Sequence, residues 1–347
     1  MGMIEPLDDV QRLISFDRSG MLEQIVSMPK QIEEALKNKL SLEGEVESVC
    51  VCGMGGSAIG GDILADYASR SARIPIIVVR GVELPRFVGK KTLAIMVSYS
   101  GETWETLALF EKARQSGAQV VSVTSGGELA RRSKSEKVPV ISVPGGQQPR
   151  SALGYLLGAS AVAFDAVGAA PAVHDLKGCV RALKDFQEEI LPAIPTRNNL
   201  AKKIANQLHK RIPVIYAPRS IRSVALRWQT QINENAKMMA FCGEYPEMNH
   251  NQMVGWAEDG SDHDLLPVFL LDSSEDDLSK KTGITMTLIK EKKIDPVSVK
   301  LTGRTILETS LKGIMLGDFV SYYLASLKNI DPTPVASIIE LKKRMKL

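Results

Sequence analysis

Four hydroxyl side chains stand where this sequence could grip an anion. Ser57 lies in "VCGMGGSAIGG", residues 51–61, among five glycines; Ser98, Ser100 and Thr103 lie in "SYSGETWET", residues 98–106. A glycine-rich turn after an apolar run lets a phosphate approach the main chain closely, with amide N–H groups at a helix start pointing at it. The second turn adds three hydroxyls at the entry to another helix. Together with Gly55, Gly56 and Ser57, they would form a socket for one terminal phosphate. The plainer alternative is that Ser100 or Thr103 caps the helix, assisted by Glu105 or Thr106.

Two other phosphate chemistries compete for the first loop. Gly53, Gly55 and Ala58 match the dinucleotide fingerprint GxGxxG/A, which would suit an NADP-dependent dehydrogenase. That fold wants an acidic residue after its second strand, whereas "IPIIVVR" ends in Arg80 and Gly81, suited at best to a 2′-phosphate. A nucleotide P-loop is excluded because no GK[ST] follows the glycines.

The elements that must position these loops show in the hydrophobic pattern. "VESVCVC", "IPIIVVR", "TLAIMVS", "AQVVSVTS" and "KVPVISV" are short β-branched runs, mostly separated by helix-like segments. Such alternation predicts right-handed βαβ units and a parallel sheet, with ligands at the carboxyl ends of its strands. The alternation resumes in "IPVIYAP", "MMAFC", "LPVFLLD" and "PVSVKL". The expected organisation is N-terminal helices with a first α/β domain over residues 1–170, a connecting segment over 171–199, and a second domain of the same type with a C-terminal helix over 200–347.

Composition limits the partners. The chain has 347 residues, and 43 Lys and Arg against 40 Asp and Glu give a net charge of +3; with aromatics at 5%, no nucleic-acid footprint is expected. Residues 151–170, "SALGYLLGASAVAFDAVGAA", are the best candidate for a membrane span, but they carry Asp165 and are expected to form a buried helix. "MGMIEPLDDV" lacks a basic-then-apolar leader, so a cytoplasmic location is expected. Cys50 and Cys52 alternate with valines as small hydrophobes, and isolated Cys179 and Cys242 suggest neither disulfides nor zinc. His263 in "DGSDHD" is not expected to bind metal.

"GMGGSAIGGD" followed by "SYSGET", then "PRSALGYLL", "NENAK" and "EMNHNQMVGW", resembles the bifunctional phosphoglucose/phosphomannose isomerases. The resemblance runs from the N-terminal helices to "DPTPVASIIELKK". It implies two sugar isomerase (SIS) domains, a homodimer, hexose 6-phosphate substrates, and no metal or organic cofactor. It also implies a base, Glu234, that moves a proton between C2 and C1 through a cis-enediol; a carboxylate flanked by Asn233 and Asn235 can be oriented without being neutralised. A surface helix with a Glu234/Lys237 pair is the plain alternative. His250 is implied as the ring-opening group, reaching the site from the neighbouring subunit. Arg150 would stabilise the enediolate, although an arginine before a helix need do no more than face solvent. Lys342, or Lys343 in the other register, would enter the site, and Thr333 would shape the room around C2 and C3. The family pattern has asparagine where this chain has Glu102, whose side chain is expected to turn to solvent. A noncatalytic phosphosugar-binding module would keep the hydroxyls but need neither Glu234 nor His250; a pentose phosphate isomerase would share the socket.

Overall fold

The computed structural model describes residues 5–258 and 264–344. The chain forms two compact units, one of Val26–Arg181 with Ala336–Leu347, the other of Met1–Ile25 with Ala182–Val335. Each is built on a parallel sheet flanked by helices, the α/β architecture expected.

In the first of these units the strands are β1 (Ser48–Gly53), β2 (Ile76–Val79), β3 (Thr92–Val97), β4 (Gln119–Thr124) and β5 (Val140–Ser142), in the order β2-β1-β3-β4-β5. All neighbours are parallel. β1 and β3 are buried at every residue, which explains why they read as unbroken apolar runs. The chain leaves β1 toward β2 on one side and β3 toward β4 on the other. The loops after Gly53 and Val97 therefore diverge, leaving a crevice at the carboxyl ends of two adjacent strands.

One face of this sheet packs Cys50, Cys52, Ala94 and Met96 against Leu109 and Phe110 of the helix Trp104–Gln115. Burying a side chain such as Phe110 contributes about 2–3 kcal/mol. Burial pushes the Cys50 thiol up to about 12, so it acts as a packing group. All four cysteines are free. The other face carries the helix Gly55–Ala68, which lies so close that a Cβ on Gly61 would sit 2.7 Å from Val51 Cγ1. Beside it runs the buried helix Leu153–Ala166, 14 residues long. No helix among the described residues is long and apolar enough to cross a membrane.

The other unit holds β6 (Ile212–Pro218), β7 (Phe241–Tyr245), β8 (Leu265–Asp272) and β9 (Val297–Leu301), parallel throughout in the order β7-β6-β8-β9. Burial alternates along β9, which turns one face to solvent at the sheet edge. Tyr216 stacks on Phe269 with centroids 5.3 Å apart, and Trp256 Nε1 donates to the Tyr216 hydroxyl at 2.9 Å. The helices Arg222–Asn235 and Ile306–Leu327 pack through Gly313 and Gly317. Trp228 Nε1 donates to Gly313 O at 2.7 Å, and a Cβ on Gly317 would lie 2.3 Å from the indole. The N-terminal segment is tied down by Asp8, which accepts from Thr196 N and Oγ1 at 2.7 and 2.6 Å, and by buried Leu7, Leu13 and Met21.

One strand differs from the sequence pattern. "MMAFC" predicts a strand from residue 238, but β7 begins at Phe241 and runs to Tyr245. Lys237 adopts φ +50° and Asn233 Oδ1 accepts from Ala240 N at 2.9 Å. The residues between are thereby held in the turn that ends the preceding helix.

Candidate active site

The first unit brings most of the predicted residues to the β1/β3 crevice. β1 ends at Gly53, and the helix Gly55–Ala68 starts at once, with Met54 in the capping position and no side chain capping it. Its first turn contains Gly55, Gly56 and Ser57. Ser57 is buried and its Oγ accepts from Tyr99 N at 3.2 Å, which ties the β1 loop to the β3 loop. Gly56 is required for contact rather than for its torsions. A Cβ there would lie 2.9 Å from Arg150 Cα, so the backbone of the Arg150 turn rests directly on this loop.

After β3, Ser98 is fully buried; its Oγ accepts from Gly101 N at 3.1 Å and donates to Thr103 Oγ1 at 3.0 Å. Ser100 is exposed, and its Oγ accepts from Glu102 N at 3.2 Å. Thr103 occupies the N-cap position of the helix Trp104–Gln115, yet its side chain makes no capping hydrogen bond. Two helix starts thus open onto one crevice without a side-chain cap, and both present the positive end of a helix dipole. Arg150 belongs to the 3₁₀ turn Pro149–Ser151 and is 3% exposed. The backbone of this buried arginine's turn therefore lies against the first of the two helix starts.

The loop after β3 is also locked from outside. Gly101 (φ +72°) and Gly127 (φ +68°) press so close that a Cβ on Gly101 would fall 1.9 Å from Gly126 O. Ser125 Oγ donates to Tyr99 O at 2.6 Å, and the Tyr99 hydroxyl donates to Pro144 O at 2.9 Å. Tyr99 is therefore a scaffold of the site. In the sequence it stands out only as the residue between two serines. Glu102 is exposed, as expected, and its carboxylate also accepts from Glu128 N at 2.9 Å, at the start of the helix Gly127–Ser135. The charge meets a helix dipole there while remaining in water. Arg80, the residue on which a 2′-phosphate site would depend, forms a two-bond pair with buried Asp62. Its charge is already met within the unit, which removes the main support for the dinucleotide alternative.

Glu234, His250 and Thr333 belong to the other unit. Glu234 lies half-buried in the last turn of the helix Arg222–Asn235. Of its flanking asparagines, Asn233 holds Ala240 N, and Asn235 Nδ2 donates to Ser321 Oγ at 2.9 Å. Earlier on the same helix, the buried Arg227 pairs with Asp318 through two bonds of 2.9 and 2.8 Å. Lys237 Nζ donates to the carbonyls of Glu234 and Pro332 at 2.6 and 2.8 Å, closing the end of the helix. The backbone under Glu234 is thus fixed on both sides.

His250 ends the 3₁₀ turn Glu247–His250 and is exposed, while its neighbour Asn249 accepts from Thr285 Oγ1 at 3.1 Å. Thr333 is buried, with its amide donating to Asp331 Oδ1 at 2.9 Å. Lys342 and Lys343 are both exposed on the helix Ala336–Arg344, which groups with the first unit. Among the described residues no group of three or more His, Cys, Asp or Glu could hold a metal ion; His263 lies outside the described residues.

Residues 197–345 match the bacterial phospho-glucose isomerase C-terminal SIS domain family. Over the whole chain, the bifunctional phosphoglucose/phosphomannose isomerase of Caldicellulosiruptor bescii is 36% identical across 94% of this chain and 98% of that protein. The protein of the same name from Thermoplasma acidophilum is 35% identical across 87% and 91%. Among solved structures, a hypothetical protein from Thermus thermophilus superposes with a TM-score of 0.75 at 17% identity, covering 98% of this chain and 94% of that one. The C-terminal domain of glucosamine-fructose-6-phosphate aminotransferase from Francisella tularensis gives 0.70 at 14% identity, covering 91% and 98%. The structural likenesses speak to fold alone. The level and span of the sequence identity establish that the chain belongs to the bifunctional phosphoglucose/phosphomannose isomerase family.

Proposed function

We propose that the protein is an aldose–ketose isomerase that interconverts fructose 6-phosphate with glucose 6-phosphate and mannose 6-phosphate. The observation that carries this reading is the convergence of two side-chain-uncapped helix starts, the Ser57, Ser98 and Thr103 hydroxyls and buried Arg150 at one strand-end crevice. Such a site suits a single phosphoryl group in a member of this family.

The chemistry then divides among a few groups. Gly55, Gly56, Ser57, Ser98, Ser100 and Thr103 bind the phosphate. Glu234 takes a proton from C2 or C1 and returns it to the other carbon, so one carboxylate serves both directions. Arg150 gains more from the enediolate than from the neutral sugar and so lowers the barrier selectively. His250, contributed across a homodimer, shuttles the proton that opens the ring, and Lys342 supplies a further positive charge. Thr333 leaves room for rotation about C2 and C3, which mannose and glucose 6-phosphates both require. The protein works in the cytoplasm and uses neither a metal nor an organic cofactor.

The test offers glucose 6-phosphate and mannose 6-phosphate separately in a coupled assay containing EDTA. Both substrates are expected to turn over. Activity on neither would overturn the reading, and activity restored only by a divalent ion would overturn metal independence.

A further inference from the structure

We propose that Gln31 is the positioning residue for Arg150, a role that rests on the isomerase reading above. Gln31 lies in the helix Met28–Ala35 on the face that also buries Met28, Ile32 and Ala35, and is itself 0% exposed. A primary amide is costly there unless both ends are bonded. Gln31 meets that condition by reaching the turn that carries Arg150, far along the chain. Its Nε2 donates to Ser151 O at 2.9 Å, and its Oε1 accepts from Gly154 N at 3.0 Å. Nε2 also lies 2.8 Å from Ser27 Oγ and 3.0 Å from Gln147 Oε1, the latter on the approach to the same turn.

One amide therefore bridges the carbonyl immediately after Arg150 and the first turn of the helix that follows. The contact is tight, because a Cβ on Gly154 would fall 2.6 Å from Met28 O and 2.7 Å from Gln31 Cβ. On the opposite side the turn rests on the phosphate loop, with Gly56 against Arg150 Cα. The turn is gripped from two directions, by Gln31 behind and by the glycine loop in front. A hydrophobe in the Gln31 slot would carry no polar group of its own but would take from Ser151 O and Gly154 N the partner they have here. The glutamine instead fixes the height and tilt of the turn, and so the direction in which a buried guanidinium points. Errors of about 1 Å in such a group cost up to roughly a hundredfold in rate.

The experiment uses the full chain carrying Gln31→Met, Gln31→Glu, Arg150→Ala and the Gln31→Met/Arg150→Ala double substitution. It measures fructose 6-phosphate kinetics and amide hydrogen exchange over residues 147–154. Gln31→Met is expected to lower kcat between about tenfold and a hundredfold, with KM moving less than about threefold. In the Arg150→Ala background it should add no further loss, since the group it positions is gone. Exchange over residues 147–154 should quicken. Gln31→Glu keeps the shape and the acceptor for Gly154 N but donates only when protonated, so its deficit relative to the unsubstituted chain should shrink as pH falls. Losses that multiply fully in the double variant would overturn the proposal, as would unchanged exchange in Gln31→Met. If the unsubstituted chain fails to turn over hexose phosphates, the isomerase reading falls, while the exchange measurement still decides whether Gln31 holds the turn.

Discussion

Glu234 sits between two asparagines that are each bonded to another part of the fold, so its backbone cannot drift when its side chain changes. Glu234→Gln preserves shape and removes the proposed base. The expected result is a loss of about 10²–10⁴-fold in kcat with the KM for fructose 6-phosphate nearly unchanged. Near-normal turnover in steady-state assays would assign the proton transfer to another residue. The hydroxyls predict a different pattern. If Ser98 and Ser100 hold the phosphate as proposed, Ser98→Ala with Ser100→Ala should chiefly raise KM; an unchanged KM would mean that this turn serves only the fold. These residues are legible in the sequence because hydroxyls and glycines at strand ends form a local pattern. Tyr99 is not, because its role is spent on Ser57, Ser125 and Pro144, which only the folded chain brings to it.

Among the elements, legibility follows how local the determining contact is. β1, β3, β6 and β8 appear as apolar runs because both faces of each are covered. β7 starts later than its apolar run because a left-handed Lys237 and the Asn233 hydrogen bond extend the helix ending, a geometry that hydropathy does not encode. The brace from Asn235 to Ser321 spans 86 positions and has no local signature at all. Glu102 gives the element-scale prediction. It caps the helix Gly127–Ser135, so Glu102→Ala should cost about 1 kcal/mol in denaturant unfolding. Equal stability in that experiment would show the cap to be idle.

For the molecule as a whole, the clearest electrostatic lever is Glu308, whose carboxylate is 6% exposed and meets Lys312 at 2.8 Å and Arg304 at 3.2 Å. Burial alone would raise its carboxyl, but Lys312 and Arg304 hold it below its usual 4.5. A depressed folded value stabilises the native state above about 4.5, and that contribution is lost as pH falls through the folded value. Glu308→Gln is therefore expected to lower Tm at neutral pH, with the gap to the unsubstituted chain narrowing below about pH 4.5. A gap constant across that range would exclude the ion pair as its source.

The grouping of residues up to 25 with the later half of the chain bears on how the protein is made. These residues leave the ribosome ahead of the stretch 26–181, yet Asp8 waits for Thr196, and Arg12 waits for Asn329, 317 positions further on. Leu7, Leu13 and Met21 must therefore travel uncovered while the intervening stretch collapses on its own strands. A segment synthesised early is among the last to be sheltered, which makes its apolar side chains natural handles for a chaperone.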